Sequence, residues 1–402
     1  MSLQPSHTIV AINFWPEPTG NAPYTSDLAE EIAKSSRVSV LTGIPHYPWW
    51  KKQQGHSDFE YESEHSGLTV SRCNHMVPNS QSNALRALME ISFGMSAIMS
   101  GKVQGSKIIL VSPAMLSSAL VMAWIRLSKP KTKVLVWVQD LYEQGLKETS
   151  QGAGLLGRVI ARTENWLLGK ADRVVFAHPV FMDAKKINPS VNQKFFAIPN
   201  WSQFTFKPNK TIEETKSLHG FDGGMLVLHI GNMGVKQGLE NVVEAARLAE
   251  NSNRQVSFVL VGGGNQLEKL KESAAGLKNL FFIPPVSEPE LANLMQAADV
   301  LLVNERPGVK EMSIPSKLTT YFLAGKPVLV CSEPDSLAGR SVLENRTGFW
   351  VQSGNPNQLL TKIFALDSSE SEKIVKAASK FAEENLSKQA AMKQFKEVLE
   401  QL

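Results

Sequence analysis

The stretch MLVLHIGNMGVKQGLENVVEAARLAEN, residues 225–251, decides the fold. Its opening MLVLHI is an apolar run of strand length, and the helical pattern LENVVEAARLAEN begins at Leu239. Between them lie Gly231, Asn232, Gly234, Lys236 and Gly238. Glycines let backbone amides come close to an anion, a helix start aims unpaired N–H groups at it, and Lys236 adds a point charge. That combination suits a sugar diphosphate. A plain strand-to-helix turn with its lysine facing water is the competing reading, and this segment alone does not choose between them.

The same rhythm runs outward in both directions. Downstream come the strand VSFVLVGGG, the helix NQLEKLKESAAG, the strand LFFIP, the helix EPELANLMQAA, the strand DVLLVN, the helix SKLTTYFLAG and the strand PVLVCS. Upstream, HTIVAINF, RVSVLTG, KIILVS, KVLVWVQD, RVVFAH and KFFAIPN read as strands, with helices such as TSDLAEEIAKSS and GRVIARTENWLLGKA between them. Alternation of this kind predicts α/β architecture, with two doubly wound parallel sheets that bind ligands at the carboxyl ends of their strands. A chain of 402 residues fits two domains of about 200 residues each. The expected division is 1–205 for a first domain, which the family resemblance given below makes the acceptor side, and 206–385 for a nucleotide-binding domain. The C-terminal helix, 386–402, is expected to cross back onto the first.

Composition narrows the class. The chain is 43% hydrophobic and 20% charged, as in globular proteins. A net charge of +4 is too weak to argue for nucleic acid. Residues 1–205 hold 20 Lys+Arg against 15 Asp+Glu, leaving 22 against 23 for the rest. That surplus is either a solvated face or a surface for anionic lipid or pyrophosphate. Residues 108–125 carry no charge over 18 positions, but Ser112-Pro113 divides them into a strand and a helix rather than a membrane span. The N-terminus lacks the pattern of a secretory signal, so the cytoplasm is the expected compartment. Cys73 and Cys331 fit neither a disulfide framework nor a metal-binding spacing.

A second chemical segment is NERPGVKEMSIPSKLTTYFLAGKPVLV, residues 304–330. Pro315 suits a helix start, after which Ser316, Lys317, Leu318 and Thr319 present first-turn amides. Glu305 and Glu311 precede them as carboxylates able to accept hydrogen bonds from sugar or ribose hydroxyls. In the first half, Glu17, Thr19, Gly20 and Asn21 lie between the first strand and the first helix. Asp140 ends the strand KVLVWVQD, placed either for substrate and acid/base work or as a helix cap. The aromatic run IPHYPWWKK, 44–52, suits stacking on a sugar, contact with a membrane surface, or a packed loop.

The sequence contains no Asp-x-Asp, so no carboxylate-held metal is expected and the positive loop would neutralise a leaving diphosphate instead. There is no Walker loop and no Gly-x-Ser-x-Gly. VGGGNQL, with Gly263 at its centre, resembles a dinucleotide fingerprint but has Leu267 where the third glycine belongs.

Taken with EPTG (17–20), TGIPHYP (42–48), VWVQDLY (136–142), IPNW (198–201), GNMGVKQGLENV (231–242), RPGVKEMSIPSKLTTYFLAGKPVL (306–329) and ENRTGF (344–349), the chain resembles glycosyltransferase family 4 of the GT-B fold over its whole length. Within the family it looks most like bacterial transferases of colanic-acid and O-antigen assembly, fucosyl and N-acetylfucosaminyl transferases among them. The resemblance implies a retaining hexosyl or N-acetylhexosaminyl transfer from a nucleoside diphosphate, usually UDP, with no further cofactor. The implied acceptor is a saccharide or an undecaprenyl-type lipid-linked saccharide at the inner face of the plasma membrane.

It also implies catalytic roles for Asp140, Glu311 and Lys236. Donor contacts fall on Gly20, Asn21, Gly231, Asn232, Lys236, Gly238, Gly263, Glu305, Pro315, Ser316, Lys317, Leu318 and Thr319. Asn232 stands where the wider family usually has an arginine, and of its two usual glutamates the first falls at Met312, with Glu311 beside it to take over the role, and the second at Thr320. Two other readings stay open: a GT-B-fold nucleotide-sugar epimerase, and a non-catalytic nucleotide-sugar-binding partner.

Overall fold

A computed structural model describes residues 6–53, 61–65, 68–78, 83–141, 155–187, 192–221, 224–309 and 316–402. The chain divides into two compact units, one of residues 1–200 with 391–402 and the other of residues 201–390.

The first unit holds an eight-stranded sheet. Its strands are β1 (His7–Ala11), β2 (Val38–Gly43), β3 (Tyr61–His65), β4 (Leu68–Cys73), β5 (Lys107–Val111), β6 (Lys133–Val138), β7 (Arg173–Phe176) and β8 (Phe195–Ala197). The spatial order is β3-β4-β2-β1-β5-β6-β7-β8, parallel throughout except for the antiparallel β3–β4 pair. Nearly every position of β1, β2, β5 and β6 is buried, as parallel strands covered on both faces require. The order reverses between β1 and β5, which makes the loops after those strands the ligand edge.

The uncharged stretch 108–125 resolves into β5, a turn, and the helix Met115–Ser128. Among the described residues no helix is long and apolar enough to cross a membrane. The last helix, Lys388–Glu400, is fixed to this unit by Phe395, whose ring meets Trp137 edge-on at 4.8 Å. Cations satisfy the carbonyls at its C-terminal end: Lys107 Nζ donates to Leu399 O, and Arg173 Nη2 donates to Gln401 O at 3.0 Å.

The second unit holds six parallel strands, β9 (Met225–Ile230), β10 (Val256–Val261), β11 (Leu280–Ile283), β12 (Val300–Asn304), β13 (Val328–Ser332) and β14 (Phe349–Gln352). Their order, β11-β10-β9-β12-β13-β14, reverses between β9 and β12. Helices bury apolar faces on both sides, Val242, Val243 and Ala246 from Glu240–Asn251 on one, and Leu318, Tyr321 and Phe322 from Ser316–Leu323 on the other.

Three strands are not visible in the sequence pattern. In β4 the buried Arg72 breaks the apolar reading; its guanidinium is spent on the carbonyls of Trp15 (2.6 Å) and Gly43 (3.4 Å). β3 is a polar edge strand, and β14 is only four residues long with buried and half-buried positions alternating.

Candidate functional site

In the second unit, the loop after β9 is built by backbone stitching to its neighbours. Gly231 N–H donates to Val261 O and Met233 N–H to Gly263 O, both at 2.8 Å, and Gln266 N–H donates to Met233 O at 3.0 Å. Gly262 has φ +136°, and a Cβ there would stand 2.1 Å from Gly231 O. The VGGG segment therefore serves close approach of two backbones, which accounts for its partial likeness to a dinucleotide fingerprint. A Cβ on Gly263 would meet nothing within 4 Å.

From the other side, β12 pins the loop. Arg306 N–H donates to Lys236 O at 2.8 Å, and Asn304 Nδ2 donates to Gln237 O (2.7 Å) and Gly238 O (3.0 Å). Asn241 Nδ2 in turn donates to Asn304 Oδ1 at 2.9 Å and to Cys331 Sγ at 3.3 Å. Gly238 has φ +53°, and a Cβ there would lie 2.8 Å from Arg306 Cα. Held in this way, Asn232, Gly234, Val235, Lys236, Gln237 and Asn265 line a cavity of about 450 Å³, with the Lys236 and Asn232 side chains exposed.

The second chemical segment converges on the same strand end. Lys317 Nζ lies beside Gly231, 3.6 Å from where a Cβ on that glycine would stand. Tyr321, one turn on, accepts the Ile230 N–H at 2.8 Å with its hydroxyl. The buried His229 ring is held neutral by desolvation and by the nearby Lys317 charge, and its Nδ1 sits 3.2 Å from Leu302 O. Glu305 is buried at the end of β12, its N–H donating to Cys331 O at 2.8 Å. Leu318 and Thr319 are buried, so only the backbone of Leu318 is suited to a polar ligand. Glu311 and Pro315 lie outside the described residues, as does the side chain of Ser316.

In the first unit, Gly20, Asn21 and Asp140 gather at the point of strand reversal. Asn21 Nδ2 donates to Ser112 O at 3.3 Å, and Ser112 Oγ donates to Asp140 O at 3.4 Å. Asp140 keeps much of its residue surface exposed, while desolvation of its carboxyl pushes it up to about 6. Gly20 has φ +70°, and a Cβ there would come within 3.2 Å of the Tyr47 ring. Glu17 has a structural task instead, accepting the N–H groups of His46 (2.7 Å) and Tyr47 (2.8 Å) and Nδ2 of Asn13 (2.7 Å).

Sequence reasoning read Ser112 only as part of a turn, and passed over Tyr321 and the His46–His75 pair, whose rings meet at 4.8 Å. Burial and the neighbouring His46 lower His75 to about 3, so it stays neutral. The turn at Ser112-Pro113 was legible, but not that it sets Ser112 between Asn21 and Asp140. Tyr321 carries no such mark.

Two units with reversed parallel sheets, one ending in a glycine loop with two lysines at the reversal, define the GT-B class of sugar transferases. The family comparisons agree. The model described as Glycosyl transferase 4-like domain matches residues 19–201, and that described as Glycosyl transferases group 1 matches residues 211–385. WcaI of Escherichia coli (strain K12), assigned as a colanic acid biosynthesis glycosyl transferase, is 31% identical over 343 residues, covering 81% of this chain and 83% of that one. The chain belongs to the family 4 glycosyltransferases of the GT-B fold.

Solved structures share that fold. Sucrose-phosphate synthase from Thermosynechococcus elongatus aligns with a TM-score of 0.70 at 18% identity, covering 98% of each chain. Anabaena HepE in complex with UDP and glucose aligns at 0.68 and 16% identity, covering 98% of this chain and all of that one.

Proposed function

We propose that this glycosyltransferase moves a sugar, with retention of anomeric configuration, from a UDP-sugar to a saccharide or lipid-linked saccharide during surface polysaccharide assembly. The observation that carries the donor reading is the placing of Lys317 Nζ against Gly231, beside the cavity that exposes Lys236. Two ammonium groups and a glycine loop at one strand end suit a diphosphate, whose negative charge grows as the sugar departs. In this reading the pair offsets that charge where the wider family adds an arginine at the position of Asn232.

The UDP and glucose in the HepE complex support UDP as the nucleotide, and the assignment of WcaI supports an envelope polysaccharide as the product. We assign Gly20 and Asn21 to the donor side, as the family pattern has them, and Asp140 to the sugar or acceptor hydroxyl. Glu311, one residue before the position of the family's first glutamate, is assigned to the sugar in its place.

Incubating the purified protein with a panel of UDP-sugars and a membrane-lipid acceptor fraction tests the reading. Release of UDP with an acceptor product whose anomeric configuration matches the donor by NMR is expected. An altered nucleotide sugar formed from donor alone would instead indicate an epimerase. Donor binding without turnover on any acceptor would indicate a binding partner.

A further inference from the structure

After β12 the chain turns sharply at Arg306-Pro307-Gly308-Val309. Proline presets φ at the second position of this turn, and Gly308 supplies the φ of +79° that the third position needs. Val309 N–H closes the turn by donating to Arg306 O at 3.2 Å. Its tip is held as well. Gly308 N–H donates to Glu333 Oε1 at 3.1 Å, and a Cβ on Gly354 would stand 2.6 Å from Pro307 Cγ.

The first residue of the turn also forms part of the wall of the glycine loop. Arg306 N–H donates to Lys236 O, and its Cα and Cβ lie 2.8 and 3.0 Å from where a Cβ on Gly238 would stand. The backbone of Arg306 is thus fixed through its N–H, its carbonyl and its packing, while the residue itself is exposed. Among the described residues its guanidinium has no ion-pair or hydrogen-bond partner. The acids of the neighbourhood do not claim it: Glu305 is buried, and Glu333 also accepts Gln352 Nε2 at 3.0 Å and Ser353 Oγ at 2.6 Å.

We infer that Arg306 is a third cation of the diphosphate site, its guanidinium taking the phosphate from which the sugar departs. The inference rests on the reading of the loop after β9 as a diphosphate site. Breaking the bond between the anomeric carbon and the phosphate oxygen leaves the electron pair on that oxygen. A sugar diphosphate of about two negative charges then becomes a nucleoside diphosphate of about three at neutral pH. Lys236 and Lys317 offset two of these, and one more cation matches the charge that develops. A guanidinium suits the task because its planar fork can bond two phosphate oxygens at once. Starting from a fixed Cα, it loses less freedom on being placed.

Calorimetric titration of UDP and of UMP into wild type, Arg306→Gln, Arg306→Lys and Lys236→Ala tests the inference. Arg306→Gln should weaken UDP binding about tenfold and leave UMP binding close to wild type. Arg306→Lys, which keeps the charge without the fork, should fall between the two. Thermal midpoints should not change, because the exposed side chain bonds nothing among the described residues. UDP affinity kept by Arg306→Gln but weakened by Lys236→Ala overturns the inference and leaves the donor reading standing. Affinity kept by both substitutions removes the diphosphate reading of the loop along with it. A loss shared equally by UDP and UMP, or accompanied by a lower midpoint, would assign Arg306 to another part of the nucleotide or to holding the turn, and overturns the inference too.

Discussion

Tyr321 accepts the Ile230 N–H at 2.8 Å, so the helix Ser316–Leu323 is fastened to the last residue of β9. The same helix carries Lys317 to Gly231. One hydrogen bond thus sets the position of a cation at the strand end that begins the glycine loop. Tyr321→Phe keeps the ring packing but leaves a part-buried N–H without its acceptor. The expected cost is about 1–3 kcal/mol of stability, seen as a lower urea midpoint. UDP affinity should fall as well, because Lys317 loses its anchor. A variant with the wild-type midpoint and affinity would show that the bond does neither task.

Glycine is required where two backbones nearly touch. Gly262→Ala puts a Cβ against Gly231 O in a conformation that alanine disfavours, and should cost about 2–5 kcal/mol. Gly263→Ala faces open space and should stay within about 0.5 kcal/mol of wild type. Equal losses in paired urea melts would mean that stitching of the two loops is not what the glycines provide.

Asp140 gives a pH signature. Its folded pKa is raised to about 6 from an ordinary 3.8, so the folded chain holds the proton more tightly than the unfolded one. Stability contributed by that proton is complete below about pH 4 and is lost as pH rises through about 6. Asp140→Asn cannot ionise, so it should melt slightly higher than wild type at about pH 8 and alike at about pH 4. A melting difference that does not change with pH would contradict the desolvation of this carboxyl. If the ionised carboxylate accepts a substrate hydroxyl, wild-type turnover should also decline below about pH 6.

Much of the fold was legible because parallel, doubly covered strands leave unbroken apolar runs. β9, β10, β12 and β13 each read directly from four or five consecutive apolar residues. β4 was hidden because Arg72 is buried by capturing carbonyls from Trp15 and Gly43, contacts made across distant loops. The glycine loop and Lys317 stood out as chemistry, but their meeting at Gly231 depends on how a helix packs across a sheet. Tyr321 looks like an ordinary core aromatic in sequence; only the crossing of its helix over β9 turns its hydroxyl into an acceptor. Glu17 shows the opposite case, a carboxylate in a ligand-edge loop that is occupied with backbone N–H groups.

The most direct measurement is calorimetric titration of UDP and of UMP into wild type, Lys236→Ala and Lys317→Ala. If the two lysines hold the diphosphate, each substitution should weaken UDP binding by about 1.5–3 kcal/mol, on the order of 10- to 150-fold, and affect UMP much less. UDP affinity left unchanged by both substitutions would contradict the assignment of the diphosphate to the loop after β9.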